Sequence, residues 1–148
     1  MEKTNELNKL LSYIHMGNSI FRIYYENAKE LNENQLLNLI VKSQEMFKKH
    51  EETITRLIDE NNEEATKSIT YAGLMGIYKE KLKSFEDAYS ICKAAIKSTN
   101  MGMLSTLKFI KENEKLPNEI IREIKEMIDD YLDIQKEITC YILKYCIK

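Results

Sequence analysis

The chain has 148 residues, 43% of them apolar and 31% charged, a balance that excludes a disordered chain and suits one folded domain with a solvated face. Four glycines and one proline are too few for the many turns of an all-β fold. The formal net charge of −2 lacks the basic excess of a nucleic-acid binder, and no apolar run reaches the ~20 residues of a membrane span.

The first predicted helix covers about residues 4–31. Leu7, Leu10, Ile14, Gly17, Phe21, Tyr24, Ala28 and Leu31 alternate spacings of three and four, the seam of a helix packed at a shallow angle on its neighbours. Asn32, with Gln35 three residues on, reads as the cap of a second helix over about 33–61. Its seam is Leu36, Ile40, Ser43, Phe47, His50, Ile54 and Leu57, and Asn61-Asn62 ends it.

Between 62 and 83 the pattern changes. SITYAGLMGIYKEKL is apolar but broken by Gly73 and Gly76, which predicts a crossover with a short helix near Ala72 to Lys81. Ser84 reads as the cap of the next long helix, about 84–112, whose stripe is Phe85, Ala88, Tyr89, Cys92, Ala95, Ile96, Thr99, Met103, Thr106 and Ile110. A turn at ENEKLPNE leads to the last helix, about 117–146, opened by Pro117 and carrying Ile120, Ile124, Met127, Tyr131, Ile134, Ile138, Tyr141 and Tyr145.

The fold class expected is therefore all-α: a single domain spanning 1–148, a four-helix bundle of two antiparallel hairpins joined by a long middle crossover. A 20-residue connection is long enough to return along the bundle and make the second and third long helices parallel, the ferritin-like path. An up-down-up-down bundle would need no such length.

Such bundles often hold two metals, through a Glu from each of two helices and Glu-x-x-His from each of the others. Here the residue three before His50 is Phe47, and the third long helix carries no acid between Ala88 and Ile110. His50 is left as a weak metal candidate, more simply read as a core histidine bonded to Ser43, Thr99 or a tyrosine hydroxyl. His15 reads as a rim residue. No catalytic residue, metal site or cofactor is expected.

Cys92 reads as a packed thiol, and Cys140 and Cys146, six apart, do not share a helical face. Of nine tyrosines, Tyr24, Tyr131 and Tyr141 fall on seams, whereas Tyr25, Tyr71, Tyr78 and Tyr145 read as exposed. Tyr71, Leu74, Met75, Tyr78 and Tyr145 are the expected interaction residues.

The ordered segments ELNKLLSYI, HEETITRLIDE, AGLMGIYKEKLKS and FEDAYSICKAAI resemble bacterial ferritin-like bundle proteins of uncharacterised function, over about Glu6 to Tyr145. The resemblance is most specific in the crossover, at Ala72-Gly73-Leu74, Tyr78 and Lys81 or Lys83. It implies a ferritin-like fold with acids and a histidine facing inward. His50 matches that histidine, but CKAAIKSTN stands where acids are expected and Gln135 near the place of a second histidine. Some such proteins in spore-forming bacteria are coat components, which the many tyrosines suit.

The function expected is non-catalytic: protein–protein interaction or self-association, as a homodimer or with an unidentified protein, in a stress or sporulation setting. The alternatives are a di-iron-type oxidase or iron-handling protein, and a carrier of a small apolar ligand near Gly17 and Gly102. No signal-peptide pattern opens the chain, so a cytoplasmic location with reduced thiols is expected.

Overall fold

The computed structural model describes residues 2–147, with the side chains of 5–147. Among these residues the chain is all-helical, without a strand: α1 (Glu2–Glu30), α2 (Asn34–Asp59), α3 (Tyr71–Leu82), α4 (Ala88–Glu112) and α5 (Asn118–Tyr141), followed by one π-helical turn, Ile142–Cys146. No described helix is long and apolar enough to cross a membrane.

The long helices begin and end on local chemistry. Asn32 and Asn62 take left-handed backbone conformations, with φ of 57° and 58°, just past α1 and α2. Asparagine tolerates that region better than most residues, so it stops a helix cleanly. Asn32 thus ends α1 rather than capping α2, whose N-cap is Glu33, with no side-chain bond. The cap expected at Ser84 is instead Asp87, which accepts from the Ser90 backbone N–H at 2.8 Å and the Ser90 hydroxyl at 2.6 Å. A carboxylate satisfies two donors there and also faces the positive end of the helix dipole.

The predicted seams are the core. Every seam residue of α2 is buried, and so are those of α1 from Leu7 to Ala28 except the half-buried Gly17. On α5 the buried stripe runs from Ile124 to Tyr141. Tyr145 shares the spacing but lies outside this buried stripe, exposed as an interaction residue was expected to be. The wider π turn after Tyr141 breaks the 3.6-residue period, so Tyr145 rotates out to solvent. Tyr89, placed on the inner stripe from its spacing, is also exposed, and Tyr25 is half-buried.

Each long helix packs on two others: α1 on α2 and α4, and α5 on α4 and α2. Residue pairing gives the directions. Lys42 meets Glu137 and Arg56 meets Glu123, so α2 and α5 are antiparallel. Tyr24, late in α1, meets Ser98, whereas Glu6 and Lys9, early in α1, line one groove with Lys108 and Glu112, late in α4, so that pair is antiparallel too. Both hairpins are antiparallel, and α2 and α4 therefore run the same way across a diagonal.

The crossover returns the chain along α1. Its first part, before α3, is neither helix nor strand and is strapped by side chains of α1 that bond alternate carbonyls. Asn8 donates to Glu64 O, His15 Nε2–H to Thr66 O at 2.8 Å, and Ser12 to Ser68 O, while Asn8 Oδ1 accepts from Thr66 N. His15, expected at a rim, is one of these clips.

Candidate functional site

At the middle of the bundle two glycines take two aromatic rings. A methyl group on Gly17 of α1 would lie 2.5 Å from the ring of Phe47 on α2, and one on Gly102 of α4 would lie 2.7 Å from the Tyr131 hydroxyl on α5. Each hairpin thus seats one ring in its own glycine notch. The two rings meet across the core, with centroids 6.0 Å apart. Phe21 stacks on Phe47 at 5.1 Å, and Tyr24 and Phe85 extend the chain of rings toward α3. The space expected near Gly17 and Gly102 for an apolar ligand is occupied by Phe47 and Tyr131.

His50 sits one turn from Phe47, with only 1% of its side chain exposed, its ring edge-on to Tyr131 at 5.0 Å. Its expected partners are otherwise engaged. Ser43 donates to Leu39 O, and Thr99 to Ala95 O and Ile96 O. Buried hydroxyls on helices turn back to the preceding carbonyls in this way when no better acceptor is near. The partner of His50 is Asp130, whose Oδ2 lies 2.9 Å from Nε2. Asp130 in turn receives Lys49 at 3.2 Å from the solvent side. Asp130 lies one residue off the α5 seam, yet its carboxylate reaches the core from the edge.

In neutral His50, Nε2–H donates to Asp130 and Nδ1 carries the lone pair. Nδ1 has no protein partner, the only fully buried side-chain nitrogen or oxygen among the described residues of which this is true. Burial lowers the proton affinity of the ring below its ordinary value; the bond and charge of Asp130 oppose this, and Lys49 adds to it.

The residues do not fit a di-metal group. Among the described residues no three His, Cys, Asp or Glu side chains gather closely enough to hold an ion. One carboxylate and one imidazole are present, and aromatic rings occupy the surrounding volume. Cys92 and Cys146 are not poised nucleophiles either. Cys92 is buried, which pushes its pKa up to about 12, and burial also raises Cys146. A reactive thiol needs the opposite shift.

The expected interaction residues separate into two places. Tyr71, Leu74, Met75 and Tyr78 share the outer face of α3, with exposures of 80, 52, 42 and 57%. Leu82, 68% exposed and not singled out from the sequence, completes that stripe. The inner face of α3 is Gly73, Gly76 and Ile77, the glycines lying against Met16 of α1. Thr70 caps α3 by accepting from Gly73 N at 3.0 Å. Near its other end, the Tyr24 hydroxyl donates to Glu80 at 2.8 Å and lies 2.7 Å from Ser98 Oγ. Tyr145 stands apart, stacked on Tyr141 at 5.0 Å beyond the end of α5. Met101 and Leu104 of α4 are also exposed, and sequence spacing gave no signal for either because they lie off the stripe.

No known protein family, curated protein or solved structure matches this chain.

Proposed function

We propose that the chain is a metal-free, ferritin-like bundle, one domain, that works by binding a protein surface, either a second copy of itself or another protein. The observation that carries this is the outer stripe of α3. Tyr71, Leu74, Met75, Tyr78 and Leu82 recur at spacings of three and four, so a twelve-residue helix offers five large apolar side chains to solvent. A helix whose other face is already seated gains nothing in folding from such a stripe. A partner groove reading i, i+3, i+4 and i+7 anchors does gain from it. Two tyrosines suit an interface because they bring large area at little entropic cost.

The ferritin-like path rests on the parallel α2 and α4 and the long crossover between them. The non-catalytic reading rests on the ring-filled centre and on burial of the Cys92 thiol.

Photo-crosslinking in cells tests the proposal. Benzoylphenylalanine in place of Tyr78 is expected to give one dominant adduct, with the chain itself or with one other protein. The same group in place of the exposed Glu126 is expected to give none. Leu74→Glu should abolish the Tyr78 adduct without loss of helix content. Equal, diffuse adducts from both positions, or none from Tyr78, would sink the reading.

A further inference from the structure

The four neighbouring helix pairs are not equivalent. The α2–α5 pair packs least closely, while α1–α2 and α4–α5 are joined as hairpins and α1 also carries α3. On the inside of the α2–α5 line Phe47 meets Tyr131, but along its solvent-facing edge the contacts are polar: Lys42 with Glu137 at 2.7 Å, Lys49 with Asp130 at 3.2 Å, and Arg56 with Glu123. These pairs are about half-exposed on the α2 side and contribute little each in water. The one buried polar link on this line is His50 to Asp130.

We propose that the His50–Asp130 link is an acid-operated latch: protonation of His50 opens the α2–α5 seam while the other three seams stay packed.

The chemistry follows from the two ring nitrogens. Neutral His50 places its one N–H on Asp130 and its lone pair in an apolar surround, at modest cost. Adding a proton creates a second N–H, on Nδ1, for which the protein offers no acceptor. It also places a cation at a site with 1% exposure. Burying an unbonded donor or an incompletely solvated charge costs kilocalories, so the ring gains by reaching water. The shortest way out is the α2–α5 line.

The groups that act on the ring are few. From α5 they are Asp130 and the uncharged Tyr131, and from α2 itself Lys49, by way of Asp130. α4 has no acid between Ala88 and Ile110, and its lysines 93, 97, 108 and 111 are exposed. His15 of α1 is bonded away to Thr66 and near Glu51. Asp130 is thus the one acid that favours the cation, and burial outweighs it.

The sign is fixed. The closed form binds the proton below the ordinary 6.5, and the open form near it. Above that value neither form is protonated and the seam keeps its full stability. As pH falls below it, the open form takes up the proton first and stability is lost, until the closed form is protonated as well.

Amide hydrogen exchange between about pH 7 and pH 5, corrected for intrinsic rates, reads this directly. Protection of amides flanking His50 and Asp130 is expected to fall about tenfold for each pH unit separating the two proton affinities. Core amides of α1 and α4 should hold. His50→Gln keeps a donor for Asp130 but cannot titrate, and is expected to remove the loss. If that variant does not fold, the imidazole of the native chain can be titrated by NMR, expected below 6.5 and in step with the seam amides. Uniform loss over all four long helices, an unchanged loss in His50→Gln, or a ring that titrates while the seam stays protected would each overturn the proposal.

Discussion

Gly17 and Gly102 do not serve turns; both are in mid-helix, where glycine costs about 1 kcal/mol relative to alanine. They are kept small by Phe47 and Tyr131. Gly17→Ala would regain helix propensity but drive a methyl to 2.5 Å from a ring held by Phe21 and Tyr131. Overpacking of this kind costs about 1–3 kcal/mol, so net of the propensity regained the variant should be less stable by up to about 2 kcal/mol and melt up to about 8 °C lower. In a Phe47→Leu background the clash is gone, and the same substitution should be neutral or stabilising. A loss of equal size in both backgrounds would show that the notch is not what excludes a side chain. At this scale sequence reasoning found the inward positions but not their partners. Phe47 and His50 were legible as seam residues because spacing alone decides burial. Asp130 was not, since one residue off the seam its carboxylate can face either solvent or core, and only the placement of α2 decides which. Tyr89 failed for the converse reason: it has seam spacing, but it lies in the first turn of α4, where no neighbour covers it.

At the scale of elements, α3 is the unusual piece. It lies on the bundle through two glycines and Ile77, a small apolar footprint, so its polar fastenings weigh more than they would elsewhere. Burial raises the proton affinity of the Tyr24 hydroxyl well above its ordinary value, so it stays protonated and donates to Glu80. Glu80 also pairs with Lys83 and keeps only 14% of its side chain exposed. Tyr24→Phe removes the donor and leaves that carboxylate with a single partner, a loss of about 1–3 kcal/mol. The loss should be local: hydrogen exchange in α3 should speed up strongly, and in α2 and α5 hardly at all. Uniform acceleration would mean that α3 does not undock by itself. The short helix was visible in the sequence as an apolar run that glycines divide, and its span was right to within a residue at each end. The strap before it was not visible. Its fastening depends on Asn8, Ser12 and His15, residues that read as an ordinary polar face until the crossover lies across them.

Over the whole molecule, the length of the middle connection decided the expected path, and the α2–α5 pairing provides the independent check. In an up-down-up-down bundle α2 and α5 would run the same way. A residue early in α2 would then meet one early in α5. Here the order is reversed: Lys42, Lys49 and Arg56 ascend in steps of seven while Glu137, Asp130 and Glu123 descend in steps of seven. Two turns of helix return a side chain to nearly the same face, so the three pairs share one line only if the helices are antiparallel. A charge swap on the outer two pairs tests this without touching His50. Lys42→Glu with Arg56→Glu sets like charges opposite each other and should cost about 1–2 kcal/mol at low salt. Adding Glu137→Lys and Glu123→Lys should restore most of it. The difference between the two variants should vanish in about 1 M salt, where the screening length is about 3 Å. If the second pair of substitutions deepens the loss, the helices do not meet in this register. The antiparallel α2–α5 contact, and with it the parallel run of α2 and α4, would then be wrong.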